Sequence, residues 1–150
     1  MEMLVVMFIL SILAAATLPY AEITTRRNKE LELRHALRQV RTAIDRVHRD
    51  WEEGDIGPLG KDVSEDGYPK SLRVLVGGVE TGDVIGTRRK YLRRVPRDPF
   101  ADPAVPRGEQ WGLRSYRDAS DSVAWGGEDV YDIWSKSTKS GIDGTPLRDW

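Results

Sequence analysis

From Met3 to Tyr20 the chain carries no charged residue, and a glutamate, Glu2, stands directly before this run. Eighteen residues of helix reach about 27 Å at about 1.5 Å per residue. That is just short of a hydrocarbon core of about 30 Å. A secretory signal opens on positive charge and closes on small residues. Here the first charge is negative, while SILAAATLPYA supplies small residues, so a cleaved signal stands as the alternative to a retained anchor. We take the anchor as the expectation. Arg26, Arg27 and Lys29 follow, and the positive-inside rule alone puts their side in the cytoplasm. The alternative is that they belong to one face of a soluble helix.

The second alternative has a pattern behind it. Leu33, Ala36, Leu37, Val40, Ala43, Ile44, Val47 and Trp51 recur at steps of three and four, with Arg34, Arg38, Arg41, Asp45, Arg46 and Arg49 between them. This is the signature of an amphipathic helix. Only Pro19 interrupts the path from the apolar run, by removing one backbone hydrogen bond and favouring a kink. The spacing therefore predicts one helix over about residues 3–52, apolar on every face at first and striped later. Gly54, Gly57 and Pro58 are expected to end it. Two units follow: a transmembrane or assembly part over 1–22, and a globular unit over 23–150 that includes the amphipathic helix.

Size and charge limit the rest. A chain of 150 residues has room for one ordinary domain beside an anchor. Twenty-three basic residues against 24 acidic ones leave a net charge of -1, which argues against a nucleic-acid partner. The chain has no cysteine, so packing, hydrogen bonds or a metal must hold the body.

Residues 54–69 (GDIGPLGKDVSEDGYP) read as an exposed loop. PKSLRVLVGGV predicts a short helix begun by Pro69 and stopped by Gly77 and Gly78, with a strand as the alternative. RKYLRRV (89–95), WGLRSYR (111–117) and VYDIWS (130–135) predict three strands of a small antiparallel sheet. Alternation in the last turns Tyr131, Ile133 and Ser135 to one face, with the Tyr131/Ile133 face expected inward against the helix stripe. The terminal Trp150 predicts a tail that folds back.

No acid, base and nucleophile converge in the sequence. His35 and His48 lie on one helix about 140° apart, which predicts two solvent-facing side chains and no shared ligand. HRD at 48–50 falls within the helix pattern and lacks the glycine-rich loop and the asparagine of a kinase. Asp118, Asp121, Glu128, Asp129, Asp143 and Asp149 stand among Gly and Ser, an oxygen-rich setting of the kind calcium favours. Solvated turn residues are the plainer reading. RRNK and RKYLRR read as a solvated helix face and an exposed strand edge. An aromatic groove lined by Trp111, Tyr116, Trp125 and Trp134 is the alternative of a binding module, against the commoner fate of such residues in a core.

A glutamate before an unbroken apolar stretch, a proline seventeen residues later, an amphipathic continuation and a small C-terminal sheet resemble the pilins and pseudopilins with class III signals. YLRRVPRDPF, WGLRSY, SVAWGGEDVYDIWS and SGIDGTPLRDW narrow the resemblance to the major pseudopilins of type II secretion systems. The resemblance implies an α+β, type IV pilin-like fold, with a long N-terminal helix packed on a small antiparallel sheet. It implies a structural subunit and no enzyme: a single-pass protein of the bacterial inner membrane with its globular domain in the periplasm, polymerising into a pseudopilus. Implied partners are further copies of itself, minor pseudopilins, an inner-membrane assembly platform, membrane lipid before assembly, and a prepilin peptidase acting on the precursor, with N-terminal methylation. Glu2 matches the glutamate that pairs with a neighbour's N-terminal amine, and Pro19 matches the joint of the helix. The family carries a basic leader before that glutamate. Here only Met1 precedes Glu2, so a truncated or misassigned start is expected. Many members bind calcium in the last loop, and of the matching positions Asp143 is the one carboxylate ligand expected here, because Lys136 and Lys139 stand where Gly or Asp is common. A type IV pilin or minor pilin is the alternative within the fold. Many of those close their last loop with a disulfide, which this chain cannot form.

Overall fold

The computed structural model describes residues 2–56, 61–83 and 86–150, and the side chains of residues 15–20 stand outside the description. Helix α1, Glu2–Glu52, takes up the first third of the chain. At about 1.5 Å per residue it is a rod of about 76 Å. It ends where predicted at Gly54, whose φ of 80° is the left-handed conformation that glycine alone adopts cheaply. α1 continues as helix through Pro19, whose side chain is not described, and the breakers Gly57 and Pro58 lie outside the described residues.

The body covers only the second half of this rod. Leu33, Ala36, Leu37, Val40, Ala43, Ile44 and Val47 are all buried, and Trp51 packs at their edge. Each such Leu, Ile or Val contributes about 1.5–3 kcal/mol when removed from water. Glu30 is the first buried residue of α1, and every described side chain before it is exposed.

Helix α2, Leu72–Gly77, inserts Leu72 and Leu75 into the same core. It starts after Ser71, not at Pro69. Pro69 instead bridges Val63, and its carbonyl accepts the Val130 amide at 2.8 Å. The described residues of the 54–69 stretch are irregular as expected, but they are not all exposed. Ile56, Val63 and Tyr68 are buried, because the short bridges Ile56 to Thr81 and Val63 to Pro69 pull them onto the body.

The single three-stranded sheet does not form. Two antiparallel pairs take its place: β1 (Val79–Glu80) with β2 (Arg88–Arg89), and β3 (Trp111–Arg114) with β4 (Asp132–Ser135). The predicted strand over 89–95 is confined to its first residue, because the Tyr91 and Leu92 amides both turn to the Leu75 carbonyl of α2, at 3.0 and 2.8 Å. A backbone committed to a helix carbonyl has no donor left for a ladder. In the second pair Gly112 faces Trp134, and any Cβ on Gly112 would collide with the indole.

β4 packs on α1 and turns Ile133 and Ser135 inward, as alternation predicts. Tyr131 is a correction: it is 46% exposed, and Val130 is buried in its stead. The strand starts only at Asp132, so the two-residue period does not reach back to Tyr131. That ring meets Tyr68 and Tyr116 edge-on, with centroids 5.1 and 5.4 Å away. The architecture is α+β, a long N-terminal helix with small antiparallel sheets.

Candidate functional site

Two regions matter for the residues singled out in the sequence: the bare half of α1 and the last loop. Along the bare half, ten large apolar side chains between Met3 and Leu13 are each more than half exposed. Ser11, the polar residue among them, donates its hydroxyl to the Met7 carbonyl at 2.8 Å, so the helix satisfies its own polar group. Glu2 lies exposed in the first turn, where a carboxylate complements the positive end of the helix dipole. Pro19, the other assembly residue, falls among the side chains that are not described. Among the described residues no helix is long and apolar enough to cross a membrane.

The last loop is fastened to α1 by charged side chains spaced along one face. Arg26 donates to the Ser140 carbonyl at 2.5 Å. Glu30, buried, accepts the Ile142 amide at 2.8 Å and sits 3.6 Å from Arg26. Arg34 lies 3.5 Å from Asp143 and stacks over Trp150, 4.2 Å from the ring centroid. Arg41 pairs with Asp132 at 2.7 Å and donates to the carbonyls of Ile133 and Trp150 at 3.1 and 2.8 Å. The tail thus folds back as the terminal tryptophan predicts, and Leu147 enters the core. Arg26, read in the sequence as a solvated or topogenic charge, is one of these fasteners.

Asp143, the expected calcium ligand, is already engaged. Its Oδ1 accepts the Thr145 amide at 3.0 Å and the Thr145 hydroxyl at 2.6 Å, and its Oδ2 faces Arg34. The bonds from Thr145, aided by Arg34, hold its carboxyl below the usual range. Calcium takes six to eight oxygen ligands, several of them anionic. One carboxylate occupied on both oxygens, beside an arginine, does not fit that ion. Two of the other acidic candidates shape turns in the same way. Asp118 accepts the Ser115 and Gly126 amides, and Asp129 accepts Tyr116 and Ser64.

Among the described residues the acidic trio able to gather oxygens is Asp50, Glu53 and Asp55, at the far end of α1. Arg89 lies within 2.9 Å of both aspartates, and Tyr91 donates to Asp50 at 2.5 Å. Burial opposes ionisation of Asp50, but the Tyr91 and Arg89 bonds outweigh it and hold its carboxyl low. An arginine fills the place a cation would take. Since arginines hold both the last loop and this trio, a chelator such as EDTA is expected to leave Tm unchanged. A downward shift on chelation, reversed by added calcium, would assign a metal to the chain.

The histidines and aromatics are distributed differently from the sequence reading. His35 is exposed, but His48 is half-buried, stacked on Tyr68 at 4.4 Å and beside Trp51 at 5.8 Å. The surroundings are aromatic because Tyr68 is drawn into the core. The four residues of the proposed groove do not share a face: Trp111 is core, Trp134 lies over Gly112, Tyr116 stacks on Tyr68, and Trp125 is tied to the Asp129 carbonyl at 2.6 Å. Comparison with protein-family models, with curated proteins and with solved structures found no match for this chain.

Proposed function

We propose that this chain is a structural, non-catalytic subunit of a helix-cored filament, a pseudopilin of a type II secretion system, stored in the bacterial inner membrane with its body in the periplasm. One observation carries the reading: the first half of α1 stands clear of the body with its apolar side chains bare. Soluble monomers rarely expose continuous apolar patches of more than a few hundred Å², so such a rod needs a cover. Lipid covers it before assembly and helices of identical subunits cover it afterwards. The body leaves that role undisturbed, because it grips α1 through Arg26, Glu30 and the buried stripe that follows them. The motif resemblance of the C-terminal half, with Asp98 of the Pro-Arg-Asp-Pro-Phe corner bound to Ser135 of β4 at 2.5 Å, supports the secretion-system assignment within the pilin-like proteins.

Removal of residues 2–20 tests the reading. The full chain is expected to fractionate with membranes and, with its assembly platform, to yield filaments visible by negative stain. The shortened chain is expected to keep its Tm and to do neither. Filaments of equal yield from the shortened chain would mean that the body, not the helix, makes the assembly, and the proposal would fall.

A further inference from the structure

Several arginines elsewhere on the body are neutralised within the chain, although Arg93 and, on α1, Arg38, Arg46 and Arg49 form no ion pair among the described residues. Arg34, Arg41, Arg88, Arg89, Arg114 and Arg117 each have a carboxylate partner. Arg73, Arg94, Arg97 and Arg107 form no ion pair among the described residues, and they gather around one groove. Nearby carboxylates are spent on the backbone, Asp98 on the Phe100 amide and Asp102 on the Ala104 amide.

The groove has two compartments. The larger, about 540 Å³, lies between α2 and the 106–109 loop, with Leu72, Val76, Leu113 and Trp125 in its apolar wall. Trp125 is 42% exposed there, and its indole N–H is fixed on the Asp129 carbonyl, so the ring is held in place with an open face. The smaller compartment, about 320 Å³, runs towards α1 past Arg97 to His35 and Glu32. Arg94 and Arg107 line both compartments, which makes them the joint of one elongated depression. Four arginines face two carboxylates, Glu32 and Glu109.

We propose that this arginine-rimmed groove docks an extended acidic segment of a partner protein, seating an apolar side chain against Leu72, Val76, Leu113 and Trp125 and carboxylates on Arg73, Arg94 and Arg107. Guanidinium forks match carboxylates in a bidentate fashion, and an aromatic wall between them supplies the desolvated anchor that peptide sites use. A chain fits better than a lipid headgroup for a geometric reason. The cations come from three separate segments and are strung along two compartments, whereas a single phosphate calls for donors that converge on one point.

The probe is a fluorescein-labelled peptide alternating glutamate with leucine and phenylalanine, titrated by anisotropy against the full chain in neutral detergent. The expected result is saturable binding that weakens as salt is raised and falls about tenfold or more in the Arg94→Glu, Arg107→Glu double variant. Trp125→Ala is expected to weaken it as well. Among the described residues neither arginine has an ion-pair partner, so an unchanged Tm will show that the double variant is folded. Three results overturn the proposal: no saturable binding up to about 1 mM, equal binding of a peptide with lysine replacing glutamate, or an undiminished affinity in the double variant. A fourth does so by naming another ligand: phosphatidylglycerol vesicles that bind the wild type more tightly than the double variant while the peptide does not discriminate.

Discussion

Trp111→Ala is expected to destabilise the body by about 3–5 kcal/mol, the range for deleting a buried aromatic side chain. Trp111 is 1% exposed at the start of β3, paired with Ser135 of β4. Its indole N–H donates to the Pro96 carbonyl at 3.1 Å, while Ser135 donates to the buried Asp98, whose amide in turn donates to Gln110 at 3.1 Å. One ring therefore joins the proline-rich corner to the second strand pair. Truncation empties its volume and leaves the Pro96 carbonyl without that donor. Against a total stability of about 5–15 kcal/mol, the loss is large enough to unfold a sizeable share of molecules near physiological temperature. Trp111→Phe separates the two contributions: it retains most of the ring and loses the hydrogen bond, with an expected cost of about 1–2 kcal/mol. Urea unfolding followed by far-UV circular dichroism measures both. An alanine variant within about 1 kcal/mol of wild type would show that the corner and the sheet are held by something other than this ring.

The helix was legible from sequence because its information is local. Seven stripe residues from Leu33 to Val47 follow a period of three and four, and that same stripe is the buried face. The sheet was half legible. WGLR and DIWS pair with each other as their composition predicts, but the fate of residues 90–95 depended on a carbonyl of α2, at Leu75, to which no strand pattern refers. Tyr131 shows the same limit: alternation is a property of a strand, and the strand starts one residue later. The fastening of the last loop was hidden for a different reason. Arg26 reaches Ser140 and Arg41 reaches Trp150 across more than a hundred residues of chain, and a helix face reads identically whether its arginines meet water or a returning tail. The surroundings of Asp143 were hidden in the same way, since the acid can be seen in the sequence and its partner Arg34 cannot.

Glu2→Ala is expected to reduce filament yield at least tenfold while leaving membrane storage and the Tm of the body unchanged. The two effects separate because Glu2 lies 28 residues of helix before Glu30, the first buried residue of α1. Within a bundle of apolar helices an ionised carboxylate costs about 2.5–3.5 kcal/mol or more unless it is paired. The amine of a neighbouring subunit, produced by cleavage of a leader, is the partner that the filament reading supplies. Alanine removes the acid but leaves the neighbour's amine in the same apolar surroundings, so each added subunit carries an unpaired charge. A tenfold loss corresponds to only about 1.4 kcal/mol, well within that penalty. Glu2→Gln keeps the shape and hydrogen-bonding capacity and loses the charge, so it is expected to fail nearly as badly as alanine. Glu2→Asp keeps the charge on a shorter arm and is expected to fall between. The comparison is made by shearing and pelleting filaments from cells that carry the chain behind a cleavable leader. If glutamine assembles as well as glutamate, packing and not charge registers the helices. If alanine does too, Glu2 has no part in assembly.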